Sequence, residues 1–356
     1  MKVFFVYLKA FGQVGGIETF NKYFIKALNS DKNINSVIVS FYDLHLEIPK
    51  DIDVITFEGN LLKLIKYLFK TIKKDSLVFF GHINLLPVAI LIRLLKGNNK
   101  LHTIIHGIDA WIKFPIYKRV FFNFIKFLSV SNYTKNLFCE LNGVDKKNVD
   151  IFPNCIELNK HDVQANPYNK SNFNILTVSR LSSNDNYKGV DTLIKMLPHI
   201  IDTIPNIKLT IIGKGNDQKR LQNLSIKLKV SNYIDFLGYV ETTAPFYKFC
   251  DVFALPSKSE GFGIVYLEAM QYKVPVIAAN SGGSVDVVKE KITGRLVNYN
   301  DELSLAYVIC EIFKGREEHN IIGISGYKYL IANFTFERFT ARLLKIIDNS
   351  RVNCNV

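Results

Sequence analysis

Glu260-Gly261-Phe262-Gly263 and Glu268 set two carboxylates eight residues apart across a glycine-flanked turn. Carboxylates accept hydrogen bonds from hydroxyls, so such a pair can hold two different polyols. A glycine turn at a helix start brings backbone N–H groups close to a ligand and presents the positive end of the helix dipole, which suits a diphosphate. The plain alternative is an exposed loop acid followed by an acid on a helix face. Arg180, at the end of the apolar run from Asn174, and Lys188-Gly189, after the polar loop Ser182 to Tyr187, add two cations that could neutralise a leaving diphosphate. A solvated basic loop is their alternative. In Gly12-Gln13-Val14-Gly15-Gly16-Ile17-Glu18 the paired glycines can offer amides to a phosphate oxygen, without the Gly-x-Gly-x-x-Gly spacing of a dinucleotide site. His106-Gly107-Ile108-Asp109 ends another apolar run, where a neutral imidazole can bind hydroxyls or serve as a buried cap. His45, His82, His102, His161, His199 and His319 form no pair at metal-ligand spacing.

These residues need a frame that brings strand ends together. Apolar runs fit for strands occur at Lys2 to Leu8, Ser36 to Phe41, Asp53 to Phe57, Ser76 to Ile83, Leu101 to His106, Phe127 to Ser131 and Asp150 to Phe152. Most are separated by amphipathic segments, the pattern of a parallel sheet with helices on both faces. Periodicity lapses from Pro153 to Asn172, the best linker candidate. Alternation resumes with Asn174 to Val178, Lys208 to Ile212, Ile234 to Leu237, Asp251 to Leu255, Pro275 to Ala279 and Arg295 to Val297. The reading is α/β with two doubly wound, Rossmann-like domains, 1–160 and 161–335. A last helix at about 336–350 could pack on either. The carboxyl ends of the two sheets then define a ligand cleft.

The chain has 356 residues, 48% hydrophobic and 22% charged, enough for two ordinary cores. No apolar stretch reaches the eighteen or so residues of a membrane span, and Met1 to Leu8 followed by Lys9 is too short for a signal-peptide core. Five scattered cysteines without a Cys-x-x-Cys pair suggest a reducing cytoplasm rather than a disulfide or zinc framework. The net charge is +13, and between Leu61 and Lys126 twelve Lys or Arg face two acids, Asp75 and Asp109.

In register over about 250 residues, the motifs resemble the retaining family 4 glycosyltransferases, whose GT-B fold faces two Rossmann-like domains across a cleft. Gly15-Gly16-Ile17-Glu18 looks like the family's glycine loop and His106-Gly107 like its cleft histidine. Pro153-Asn154 is similar to its linker start. Ser179-Arg180-Leu181 and Lys188-Gly189 are similar to its phosphate-binding pair, and Glu260 to Ala269 to its Glu-x7-Glu signature. The resemblance implies that the Gly16 amide, Arg180 and Lys188 bind the diphosphate of a nucleotide sugar, with Gly15, Gly261 and Ile264 in the same donor-binding turns. By the same resemblance Glu260, with the Phe262 and Gly263 amides, holds the transferred sugar, Glu268 the ribose, and His106 contacts the reacting end. His106 and Glu260 are the catalytic candidates, with no metal and no cofactor beyond the co-substrate. The implied function is hexose transfer from a GDP- or UDP-sugar to a saccharide or lipid-linked saccharide in polysaccharide or glycolipid synthesis. A nucleotide-sugar epimerase, a phosphorylase of the same fold and a non-catalytic sugar-binding subunit are the alternatives. Cys155 replaces the family's Gly after Pro153-Asn154. Lys273 stands where Gly commonly caps the Glu268 helix, and a left-handed lysine there would cost about 1 kcal/mol, so a different helix end is expected.

The segment Leu61 to Lys74 carries lysines at 63, 66, 70, 73 and 74, and Trp111 to Phe127 interleaves Trp, Tyr and five Phe with Lys113, Lys118, Arg119 and Lys126. Such faces suit an anionic membrane surface. A cytoplasmic protein attached peripherally to the inner face of the cell membrane is expected; a solvated basic helix over an ordinary core is the alternative. No nucleic-acid-binding signature accompanies the charge.

Overall fold

Every apolar run named above forms a strand in the computed structural model, which describes residues 1–13, 15–98, 100–159 and 165–352. Val14 of the glycine turn, His161, the 160/161 boundary and Cys354 lie outside the described residues. The chain divides into two units: Met1–Cys155 together with the residues from Phe336 onward, and Ile156–Thr335.

The first unit holds β1 (Val3–Tyr7), β2 (Ser36–Ser40), β3 (Ile55–Thr56), β4 (Leu77–Phe80), β5 (Leu101–Ile105), β6 (Lys126–Ser129) and β7 (Val149–Ile151). Its helices are α1 (Gly16–Asn29), α2 (Leu61–Thr71), α3 (Leu86–Lys96), α4 (Ile116–Arg119) and α5 (Asn132–Asn142). The strands form one parallel sheet in the order β3-β2-β1-β4-β5-β6-β7, with Phe5 opposite Ile38 on one side and Phe79 on the other. Every residue of β1, β4 and β5 is buried, as expected of strands covered on both faces. Local signals set the helix ends. The Asn60 side chain accepts the Lys63 amide at the start of α2 and Ser131 that of Thr134 at the start of α5, while Gly97 and Gly143 supply left-handed ends to α3 and α5.

The second unit holds β8 (Phe173–Val178), β9 (Ile207–Ile212), β10 (Ile234–Gly238), β11 (Val252–Leu255), β12 (Val276–Ala279) and β13 (Arg295–Val297). Its helices are α6 (Val190–Met196), α7 (Gln218–Lys227), α8 (Ala244–Phe249), α9 (Ile264–Met270), α10 (Ser284–Val287), α11 (Glu302–Lys314) and α12 (Arg316–Asn333). The order β10-β9-β8-β11-β12-β13 repeats the doubly wound plan, again all parallel. In each sheet the winding reverses at one place, between β1 and β4 and between β8 and β11. Ligands bind such sheets outside the carboxyl ends at that reversal.

The break falls between Cys155 and Ile156, ahead of the boundary read from composition. Ile156 pairs with Thr335 in a parallel bridge and donates to the Phe334 carbonyl at 3.0 Å, so it already belongs to the second unit. The last helix, α13 (Phe336–Val352), packs on α1 of the first unit. There Phe339 sits among Phe20, Phe24 and Phe152, with ring centroids 5.4, 6.3 and 4.6 Å away.

Lys273 does take the left-handed conformation, at φ +61. The helix before it ends at Met270, and the Lys273 amide closes onto the Met270 carbonyl at 2.9 Å. The turn therefore accommodates the lysine rather than avoiding the strained position.

Candidate functional site

In the first unit the site residues follow β1, β4 and β5. Asp43, fully buried, accepts the Ala10 and Phe11 amides at 3.0 Å each and so fixes the chain as it leaves β1. Gly15 is the extended residue before α1 and Gly16 is its first residue. A Cβ added at Gly15 would collide with the Glu18 carboxylate, which folds back over the start of its own helix. A Cβ at Gly16 would meet nothing within 4 Å. Packing within the chain therefore does not call for glycine at 16; its effect is to leave the first turn of α1 open to close approach.

His106 follows β5 and is buried. Its Nε2 lies 2.8 Å from the Gly81 carbonyl and its ring meets the Phe20 ring edge-on at 5.0 Å. A carbonyl only accepts, so Nε2 carries the hydrogen and Nδ1 keeps the lone pair. Burial lowers the pKa of His106 against the opposing influences of Asp109 and the Gly81 bond. The ring is thus a neutral acceptor near pH 7. His102, two strand positions before Ile104, is by contrast a core histidine, pushed down to about 4 by burial and by Lys126.

In the second unit the cations and Glu260 gather around the ends of β8 and β11. Gly189 (φ +78) allows the Lys188 turn to lie against β11, since a Cβ there would strike the Pro256 carbonyl, and the Lys258 amide donates to Tyr187 O at 2.8 Å. Lys188 Nζ reaches Glu260 Oε1 at 2.5 Å, with Glu260 8% exposed. Arg180 turns instead to Asp185, Nε to Oδ2 at 2.6 Å, and Tyr187 donates to the other oxygen at 3.1 Å. Burial alone would raise the Asp185 pKa; the Arg180 hydrogen bond and charge, Tyr187 and Lys188 outweigh it and hold the carboxyl below its usual value. The Arg180 side chain stays 70% exposed, a cation aimed at solvent with its base pinned.

The Glu260 turn is shaped by glycines. Gly263 takes φ +92, and the facing loop brings Gly282 (φ +66) and Gly283 so close that a Cβ on Gly283 would collide with the Gly261 carbonyl oxygen. The Gly283 amide donates to Glu260 O at 2.5 Å. Phe262 is buried against Phe334, 5.4 Å between centroids, which leaves its backbone and those of Gly263 and Ile264 at the opening of α9. The opening N–H groups of a helix have no acceptor within it. Because α9 begins at Ile264, Glu268 sits about one turn into the helix. Its Oε2 accepts the Tyr247 hydroxyl at 2.8 Å, and burial raises its pKa against that bond.

Lys188 and Glu260 are therefore brought together, Arg180 is tied to Asp185, and Glu268 stands apart with Tyr247. Gly15, Gly16 and His106 share the sheet edge of the first unit. Sequence reasoning missed Asp43, Asp185 and Tyr247, each an ordinary polar residue made important only by a distant partner. It also set aside His82 because no metal partner stood at ligand spacing. Gly213-Lys214-Gly215 after β9 was a readable signal: both glycines abut the Ser179–Leu181 backbone, where a Cβ would clash.

Residues 159–329 match the family described as glycosyl transferases group 1. An uncharacterised glycosyltransferase of Methanocaldococcus jannaschii is 30% identical over 253 residues, covering 68% of this chain and 67% of its own length. The chain belongs to the group 1 glycosyltransferases. Another relative of this glycosyltransferase is a GDP-mannose-dependent alpha-(1-6)-phosphatidylinositol monomannoside mannosyltransferase of Mycobacterium tuberculosis, 32% identical over 165 residues, 44% of this chain and 43% of that protein. The glycosyltransferase spans about half the length of other curated relatives that it matches. Among solved structures, Anabaena HepE in complex with UDP superposes with a TM-score of 0.80 over 98% of this chain and 100% of that one at 19% identity. The glycosyltransferase therefore has the GT-B fold.

Proposed function

We infer that this glycosyltransferase moves a hexose from a GDP- or UDP-sugar to a saccharide or lipid-linked saccharide, with retention at the transferred carbon, as family 4 enzymes do. The observation that carries this reading is the Lys188–Glu260 pair, a carboxylate able to accept sugar hydroxyls and held by one cation at a sheet reversal, with a second cation, Arg180, held by Asp185 in the loop that leads to Lys188. The names of the M. tuberculosis relative and of the HepE complex support the two donor classes.

In this mechanism Arg180, Lys188, the Gly15–Gly16 turn and the opening amides of α9 stabilise charge as it grows on the departing diphosphate. The bond from the anomeric carbon to the phosphate oxygen breaks, and the acceptor oxygen bonds to that carbon on the same face. The acceptor proton passes to the departing phosphate. Glu260 and the Phe262 and Gly263 amides orient the sugar, Glu268 holds the ribose, and His106 accepts a hydrogen bond near the reacting end through Nδ1. Removing such a preorganised contact costs on the order of 10²-fold in rate. The acceptor arrives at an anionic membrane surface that the first unit contacts. Leu62, Ile116 and Tyr117, at 81%, 67% and 64% exposure, project among the lysines of α2 and of the segment around α4.

A thermal-shift screen of GDP- and UDP-sugars, repeated with Glu268→Ala, tests the donor site. The expected result is stabilisation by one nucleotide class, weakened in the variant; no shift by any nucleotide sugar overturns the reading. NMR of the product then reports the anomeric configuration, and an inverted product overturns retention alone.

A further inference from the structure

His82 has no part in the scheme above, yet it stands at the same sheet edge as His106, one residue beyond the Gly81 carbonyl that His106 engages. Its Nδ1 accepts the Asn84 amide at 3.0 Å. An imidazole nitrogen that accepts carries no hydrogen, so the hydrogen of neutral His82 is on Nε2. Nε2 lies 3.9 Å from Asp109 Oδ2, and that same oxygen faces the His106 amide at 3.4 Å. The two imidazole centroids are 6.0 Å apart. One carboxylate oxygen is thus shared by the side chain of one histidine and the backbone of the other. Gly107 at φ +148 lets the turn from His106 to Asp109 close, with the Ala110 amide on the Gly107 carbonyl at 2.8 Å.

We propose that His82 is a positioning residue for His106, acting through Asp109: its Nε2–H anchors the carboxylate that fixes the His106 turn and sets the field at the His106 ring. The 3.9 Å separation is longer than a hydrogen bond, and such contacts commonly tighten only when substrate is bound. Asp109 and, more weakly, Glu18 at the start of α1 oppose the effect of burial on the His82 ring, while His106 reinforces it. The two histidines are therefore held neutral with fixed tautomers, one to orient and one to accept. The catalytic part of this inference rests on the proposed transfer reaction; the structural part does not.

Glutamine can place an amide donor where His82 has Nε2–H, and alanine cannot. In steady-state transfer from UDP-glucose or GDP-mannose, His82→Ala is expected to lower kcat by about 10-fold to 10²-fold with little change in donor KM. His82→Gln should restore most of it. Asp109→Asn should fall similarly, and His82→Ala/Asp109→Asn should be no slower than Asp109→Asn alone. Multiplicative losses in the double variant, or a Gln variant as slow as the Ala variant at equal melting temperature, overturn the proposal. If neither donor is turned over, the transfer reading fails, and imidazole NMR of the histidine-labelled chain still decides the structural claim. The His106 midpoint should drop in His82→Ala and return in His82→Gln, because a loosened Asp109 favours the imidazolium less. A His106 spectrum unmoved by His82→Ala overturns it.

Discussion

Lys188 and Glu260, the proposed donor contacts, show how one partner of a buried ion pair can be costly to disturb singly. With Nζ and Oε1 2.5 Å apart and Glu260 almost buried, Lys188→Met leaves a carboxylate without its partner. We expect about 2 kcal/mol of lost stability in denaturant melts. Adding Glu260→Gln should recover a good part of that stability while leaving transfer abolished, because the neutral pair no longer carries a stranded charge but also no longer serves the donor. Glu268 behaves in the opposite way. Burial raises its pKa, so the folded protein binds this proton more tightly than the unfolded chain does. Stability from this group is therefore present at low pH and falls as pH climbs from the ordinary glutamate value of 4.5 through the raised one. Glu268→Gln removes that loss. Its melting temperature at pH 7 should equal or exceed that of the parent, with the advantage vanishing below pH 4.5, while stabilisation by UDP or GDP is reduced. A variant less stable than the parent at pH 7 would contradict the assignment of Glu268 as a residue held for binding.

Two glycines distinguish what an element needs for packing from what it leaves open. A Cβ at Gly283 would run into the Gly261 carbonyl, whereas a Cβ at Gly16 would meet nothing. Gly283→Ala should therefore cost about 1–3 kcal/mol and displace the Glu260 turn. Gly16→Ala should leave the melting temperature within about a degree's worth of error, roughly 0.5 kcal/mol, yet weaken nucleotide binding; calorimetric titration with UDP and GDP measures both. The contrast also marks what could be read from sequence. Strands such as β1 and β4 were legible because a parallel sheet buried on both faces writes itself as an unbroken apolar run. The glycine turns at their ends were legible as turns, because glycine there marks a conformation or a close approach that a side chain would block. The Tyr247–Glu268, Asp185–Arg180 and Asp43–Ala10 contacts were not, since no periodicity links residues that meet only through the fold. Helix ends suffered most: α9 stops at Met270 because the chain must turn through Lys273 into β12, a tertiary demand that propensity does not record.

At the scale of the whole molecule the charge is the feature with reach. Of the phenylalanines between Trp111 and Phe127, Phe114, Phe122 and Phe127 are buried in the first unit's core, so the exposed apolar groups of this region are instead Ile112, Ile116, Tyr117, Val120 and Phe124. Arg93 lies over the Phe124 ring at 5.5 Å, tying the end of α3 to this segment. Among the described residues no helix is long and apolar enough to cross a membrane. The protein should co-sediment with phosphatidylglycerol vesicles at low salt, release as salt screens the lysines, and ignore phosphatidylcholine vesicles. Ile116→Asp with Tyr117→Asp should weaken the first interaction without altering UDP or GDP binding. The return of α13 to the first unit has a consequence in time as well as in space. Residues 156–335 leave the ribosome as one unbroken segment whose ends, Ile156 and Thr335, already pair with each other. The first unit must wait for Phe339 to fill the aromatic cluster of Phe20, Phe24 and Phe152. The half of the chain made first is thus the half finished last, and throughout synthesis its open aromatic seam is the surface that chaperones would have to shield.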